Sequence, residues 1–295
     1  MYLIIGASSF IGRHLYEYCK SNEADVLGTY YIHPEYEEWV KFDLCTDTIG
    51  SICDKYTGGR LPDAVIICGA NTSIDNCKSN EEKSSQLNVE GTKRILDEIN
   101  RNEIKSVFLS SEAVFDGKRG MYGENDTPNP VTVYGKQKLL IEEYIVQNMK
   151  NYIIFRISRA VGSVFGEKDI FHEFYQKIIQ KQEIACLKNQ SFCLTEVNDI
   201  AQVMIKAVKM DVRGLYHVSS SNYVSRYQLA QLYSRAVFGA EYERIREMEY
   251  EELPFVDNRH VQAGLRGNKI ADLLHFKYMS MEEILQKYRE TLPGI

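Results

Sequence analysis

Nowhere does this chain gather lysine and arginine into a basic stretch, and its 41 acidic residues outnumber the 35 basic ones for a net charge of -6. A surface that tracks phosphates needs the opposite balance, so nucleic acid is not an expected partner. The seven cysteines (19, 45, 53, 68, 77, 186 and 193) include no C-x-x-C pair. That argues against a disulfide frame and for free thiols in a reducing compartment. No apolar run approaches the ~20 residues that cross a bilayer. Residues 2 to 5 lead straight into a glycine turn without a charged leader, so the expected location is the cytoplasm, away from membranes. None of the six histidines (14, 33, 172, 217, 260 and 275) is spaced from another histidine or a cysteine as metal ligands are, and no metal is expected. Only six prolines and no low-complexity tract interrupt the chain, so any domain boundary is soft.

The remaining composition, 44% apolar and 26% charged, is that of a globular protein with a sizeable core. In the first half, short β-rich runs alternate with helical patterns. Strands are expected at Tyr2 to Ile5, Asp25 to Tyr30, Trp39 to Phe42, Ala64 to Cys68, Ser106 to Ser110 and Tyr152 to Arg156, with helices near 11 to 21, 47 to 56, 80 to 101 and 132 to 149. This rhythm predicts an α/β fold: a Rossmann-type, doubly wound parallel sheet. Beyond residue 160 it loosens, with helices near 170 to 181, 197 to 209, 225 to 238 and 281 to 290 and an isolated strand near 215 to 219. The expected division is a dinucleotide-binding domain over 1–162, with 195–212 packing back onto it, and a smaller substrate-binding region over 163–194 and 213–295. The charged run Glu241 to Glu252 reads as a solvated helix face.

GASSFIG, Gly6 to Gly12, follows an apolar strand and opens a helix. Glycines in that setting let backbone amides approach a pyrophosphate at a helix N-terminus. Gly6, Ser8, Ser9, Phe10, Ile11, Gly12 and Arg13 are therefore candidate cofactor contacts, although Ser9 brings a Cβ to a position that is often glycine. About 20 residues on, where an acid would bond the ribose of NAD, stand Tyr30, Tyr31, Ile32 and His33. With no carboxylate there, and with Arg13 and His33 as partners for a 2′-phosphate, NADP(H) is favoured over NAD(H). Asp43 and Leu44, after the third strand, are candidates for the adenine, Asp43 being equally suited to form a turn.

Tyr134 and Lys138 lie four apart in YGKQK and share one helix face. A phenol ionises near pH 10, and an adjacent ammonium favours the phenolate. The strand ending in Ser110 and Ser111 precedes Tyr134 by 24 and 23 residues, and a hydroxyl at the carboxyl end of a sheet strand points into the crevice where such folds bind ligands. Ser111, Tyr134 and Lys138 form the expected catalytic set, and Ser110, Tyr134 and Lys138 are expected cofactor contacts.

Taken together, the glycine turn, LSSEAVFDG, the E-N-D-T-P-N-P loop and VYGKQK resemble the extended short-chain dehydrogenase/reductase superfamily, and within it the dTDP-4-dehydrorhamnose reductases. Cys68, Gly69 and Ala70, Asn88 in LNVEG, and RISRAVG (Arg156 to Gly162) sit where that family has comparable stretches, and by that resemblance Cys68, Gly69, Ala70 and Asn88 are expected cofactor contacts. The resemblance implies hydride delivery from a nicotinamide cofactor to the keto carbon of a nucleotide-activated 4-keto-6-deoxy sugar. Tyr134 would give the proton, Ser111 hold the carbonyl, Lys138 orient the ribose and lower the tyrosine pKa, and Asn88 support the lysine side through backbone or water. Glu112 and Arg259 would meet the substrate, Arg259 at its pyrophosphate. Departures are visible: Ser111-Glu112-Ala113 stands where the reductases have Thr-Asp-Tyr, and the Asp-Glu pair of sugar dehydratases is absent. A nucleotide-sugar epimerase on the same fold is an alternative. So is a non-catalytic NADP-binding regulatory subunit, because GTYYIHPEYEEW also resembles the beta subunit of methionine adenosyltransferase. A homodimer through the helices near 80 to 101 and 132 to 149 is expected by the same analogy.

Overall fold

The computed structural model describes residues 1–293. In chain order the elements are β1 (Tyr2–Ile5), α1 (Phe10–Ser21), β2 (Val26–Tyr30), β3 (Val40–Lys41), α2 (Ile49–Tyr56), β4 (Ala64–Ile67), α3 (Ile74–Ser79), α4 (Glu81–Ser85), a π-helical turn (Gln86–Gly91), α5 (Thr92–Arg101), β5 (Lys105–Ser111) and α6 (Val133–Asn148). There follow β6 (Tyr152–Ile157), β7 (Arg159–Val161), α7 (Ile170–Ile179), β8 (Ile184–Leu187), β9 (Ser191–Glu196), α8 (Val197–Lys209), β10 (Gly214–Val218), β11 (Tyr223–Ser225), α9 (Arg226–Phe238), β12 (Ile245–Met248), α10 (Asn268–Leu274) and α11 (Met281–Glu290).

Seven strands form one parallel sheet in the order β10-β6-β5-β4-β1-β2-β3. Its central strands are apolar on both faces, as the fully buried AVII of β4 shows, because helices cover both sides. One face packs against Leu15 and Cys19 of α1, Ile200 and Met204 of α8, and Ile270 of α10. The other meets Ile52 of α2, Ile95 and Ile99 of α5, and Ile141 and Ile145 of α6. A separate, smaller core holds Phe171 and Phe174 of α7, Phe192 of β9, Tyr233 of α9 and Tyr288 of α11.

Three expectations are corrected. The strand near 215 to 219 is not isolated: β10 pairs in parallel with β6, from Gly214↔Ile153 to Val218↔Ile157, and forms an edge of the main sheet. Residues 214 to 218 thus sit in the main sheet. Glu241 to Glu252 is not one helix: within it β12 pairs with β8 and exposes Arg246 and Glu247 from a strand, and only Tyr250–Glu252 makes a short 3-10 turn. The helix over 80 to 101 is broken into α4, the π turn and α5. Such turns rotate a side chain away from the regular helical face, and this one carries Asn88 into the interior.

Candidate active site

Gly6, leaving β1, adopts φ +81, and a Cβ on it would lie 2.5 Å from the amide nitrogen of Gly69. Only glycine allows the turns after β1 and β4 to touch. Ser9 resolves the question of its side chain by serving as N-cap of α1: its Oγ accepts from Gly12 N at 3.2 Å and donates to Gly6 O at 2.8 Å. The hydroxyl folds back into the turn, while the amides of Phe10 and Ile11 find no acceptor among the described residues. Free amides at a helix start suit an anion. A cavity of about 680 Å³ opens above them, lined by Gly6, Ser8, Ser9, Asp43, Leu44, Gly69 and Ala70 among others. Phe10 and Arg13 line an adjoining cavity of about 500 Å³, whereas Ile11 and Cys68 pack against the sheet core. A dinucleotide fits this donor set. Asp43 shapes a turn as well, its Oδ1 accepting from Cys45 N at 2.8 Å.

Arg13 does not stand free for a 2′-phosphate. Its guanidinium is engaged by Glu17 at 3.1 Å, by Glu35 at 3.2 Å and by Glu167. These carboxylates come from α1 itself, the loop after β2 and the segment before α7, a convergence that no local pattern reveals. His14 joins them: its Nε2 lies 3.3 Å from Glu167, and its Nδ1 lies 2.9 Å from Asn198.

The start of α6 is fixed from several sides. Thr132 caps it by accepting from Gly135 N at 2.9 Å, and Asp257 accepts from Val133 N at 2.8 Å. A Cβ on Gly135 would lie 2.1 Å from the carbonyl oxygen of Ala113, so the glycine of YGKQK lets the helix press onto the end of β5. Tyr134 is buried there beside Ala113 and Cys77. Burial pushes its pKa above the ordinary phenol range, opposed by hydrogen bonding with Ser111. Lys138 does not offset this: its Nζ lies 5.8 Å from the centre of the Tyr134 ring and donates instead to Leu109 O at 2.7 Å. The expected lowering of the tyrosine pKa by the lysine is therefore absent, because burial dominates. Lys138 itself is pushed down to about 8, chiefly by desolvation, with Cys68 and Glu142 acting the other way.

Strand alternation separates the two serines. Ser111 Oγ accepts from Ala113 N at 3.2 Å at the mouth of the sheet, whereas the Ser110 hydroxyl donates to Glu142 beneath α6. Ser110 is thus turned away from the cofactor cavity. Glu142 is held by Arg156 through Nε at 2.9 Å and Nη2 at 2.6 Å, and Arg156 Nη1 lies 3.4 Å from His217 Nε2. The His217 imidazole is pushed down to about 3 by burial and by Arg156, so it is neutral and can accept. Tyr134, Lys138 and Glu142 succeed one another at four-residue steps on the buried face of α6, a polar line inside a packed helix. Asn88 comes in beside Lys138. Its Nδ2 donates to Gln137 Oε1 at 2.8 Å and to Asn71 O at 2.9 Å, so it braces the α6 residue next to the lysine.

Glu112 is buried, accepts from Gly264 N at 3.1 Å, and is pushed up to about 7, chiefly by burial, with Arg159 pulling it back. Arg259 is paired with Asp75 at 2.6 Å, which takes up the charge expected for a pyrophosphate. Sequence reasoning did not single out Glu142, Gln137, Asp257 or Arg159. The four-residue step from Lys138 was the one signal that could have found Glu142.

The family described as "RmlD substrate binding domain" matches residues 1–292. Among curated relatives, the zebrafish (Danio rerio) methionine adenosyltransferase 2 subunit beta is 26% identical over 235 residues, 77% of this chain and 71% of that protein. The spore coat polysaccharide biosynthesis protein SpsK of Bacillus subtilis is 33% identical over 174 residues, 59% of this chain and 60% of that one. Among solved structures, a dTDP-4-dehydrorhamnose reductase from Bacillus anthracis in complex with NADP superposes with a TM-score of 0.82 at 22% identity, covering 97% of each chain.

Proposed function

Because the chain belongs to the RmlD substrate binding domain family, we propose that it reduces the keto group of a nucleotide-activated 4-keto-6-deoxy sugar with a nicotinamide cofactor. The observation that carries this reading is the gathering of Ser111, Tyr134 and Lys138 at the end of β5 and the start of α6, with the phenol held in its protonated form by burial. A neutral phenol is what a reduction needs, since the oxygen of the reacting carbonyl must receive a proton. The cofactor supplies the hydride. In this reading Ser111 holds the carbonyl oxygen, Tyr134 donates its proton, and Lys138 anchors the cofactor ribose. General acid catalysis of this type contributes ~10² to 10⁴ in rate.

For the cofactor, no carboxylate directly follows β2, which supports NADP(H). Use of NADP(H) nevertheless requires Arg13 to be released from Glu35 and Glu167. The test is loss of absorbance of NADPH, then NADH, against a panel of nucleoside-diphosphate 4-keto-6-deoxy sugars, with Tyr134→Phe as control. Oxidation of cofactor that the substitution abolishes supports the reductase. A second reading follows from the likeness to the methionine adenosyltransferase beta subunits over 77% of this chain: a regulatory subunit would bind cofactor saturably and reduce no sugar on the panel.

A further inference from the structure

Between β12 and α10 the chain runs past the start of α6 as a strap, Leu253 to Arg259, in which only Asp257 is buried. Apolar burial does little to hold such a segment, so its hydrogen bonds decide where it lies. One carboxylate gathers them. Asp75, in the first turn of α3, accepts at Oδ1 from Val256 N at 3.0 Å and Asp257 N at 3.2 Å, and at Oδ2 from Arg259 Nη2 at 2.6 Å. Arg259 in turn binds its own strap. Its Nη1 donates to Asp257 O at 3.0 Å and Asn258 O at 3.2 Å, and its guanidinium stands 4.3 Å over the centre of the Phe255 ring. The strap is thus wound around a cation whose counter-ion belongs to α3.

The same strap grips α6. Asp257 Oδ2 accepts from Val133 N at 2.8 Å, and Asn258 Nδ2 donates to Val131 O at 3.3 Å. Val133 precedes Tyr134, and its amide is one of the helix-start donors that the helix itself leaves unsatisfied. From the other side, Ile74 and Cys77 of α3 pack against Val133 and Tyr134. Asn76 lines the cofactor cavity, whereas the Asp75 carboxylate is turned to the strap. We propose that Asp75 is a positioning residue for Tyr134: by holding the strap it keeps Asp257 on the Val133 amide and so fixes the phenol at the start of α6, touching neither substrate nor cofactor. This inference rests on the reading that Tyr134 gives the proton in a reduction. The Asp75 side chain is 38% exposed, so its removal opens no cavity in the core.

Wild type, Asp75→Ala, Asp75→Asn and Arg259→Met are compared by backbone hydrogen exchange over residues 131–136, by Kd for NADPH and NADH, and by kcat and KM on the panel of 4-keto-6-deoxy sugars. Asp75→Ala is expected to speed exchange over 131–136 about tenfold or more, the range for a lost bond to a charged group. It should lower kcat about tenfold to a hundredfold, since misplacing a reacting group by ~1 Å costs ~10²-fold, and leave both cofactor Kd values unchanged. Asp75→Asn should fall in between, because it still accepts from the two amides and loses only the charge-assisted bond to Arg259. Unchanged exchange in Asp75→Ala, or faster exchange with kcat retained, overturns the inference and leaves the reductase reading standing. A raised sugar KM with kcat retained in Arg259→Met makes that arginine a substrate contact and also overturns it. Failure of the wild type to reduce any sugar overturns the reductase reading and the role given to Tyr134 with it. Thermal melts identify any variant that does not fold, in which case Asp75→Asn, the milder change, decides.

Discussion

Replacing Glu142 by glutamine should destabilise the protein and disturb Lys138 at the same time. Both partners of the Glu142–Arg156 pair are 4% exposed, and the carboxylate also accepts from Ser110. Neutralising it strands a buried guanidinium whose remaining neighbour is His217 Nε2 at 3.4 Å. Removing one member of a buried pair costs about 3–5 kcal/mol, which for a domain of a few hundred residues lowers Tm by roughly 6 to 20 °C. Glu142→Leu combined with Arg156→Met removes both charges and should recover most of the loss. Thermal and urea unfolding of the three proteins measures this. The Glu142 charge also holds the Lys138 pKa up, so without it the ammonium form gives way at lower pH. The alkaline limb of kcat/KM should accordingly move toward neutrality from its starting point near 8. A single variant within about 1 kcal/mol of wild type, or a double variant no better than the single, would refute the reasoning.

Glu112 supplies a pH signature. Its folded pKa of about 7 lies above the ordinary 4.5, so its contribution to stability is fully present below 4.5 and is lost as pH rises through 7. Glu112→Gln should flatten that decline in urea midpoints taken at pH 5 and pH 8, and an unchanged slope would count against it. Freeing Arg13 by Glu35→Gln together with Glu167→Gln should raise the NADPH-to-NADH ratio of kcat/KM about tenfold or more; a constant ratio would show that Arg13 does not face the 2′ position. Gly135→Ala places a Cβ 2.1 Å from Ala113 O, and displacing Tyr134 by about 1 Å should cost ~10²-fold in kcat. Retention of full activity would mean that α6 tolerates the shift.

The sequence makes the parallel core legible because its strands are apolar on both faces and its helices are periodic: β1, α8 and α11 fall at the expected residues. That Ser111 ends a sheet strand and that Tyr134 and Lys138 share a helix face was legible from spacing alone. What was hidden depends on pairs distant in the chain. Nothing local ties Gly214–Val218 to Ile153, across some sixty residues of intervening chain, nor Arg13 to Glu167. Glu241 to Glu252 misled because its charges are surface charges on a strand, and helix and strand surfaces share that composition. Asn88 was recognised, but the π turn that carries it leaves no mark in the sequence.

The return of β10 to the sheet beside β6 bears on how the molecule can be divided. A fragment ending after β6 would expose that strand's backbone donors and acceptors along a hydrophobic margin, a template for joining further chains. The early and late halves are therefore interleaved, and severing them should yield an insoluble piece rather than a working coenzyme module. Variation can enter through the excursions between β6 and β10 and through the chain that follows β10, where loops can change while the strands of the sheet keep their partners.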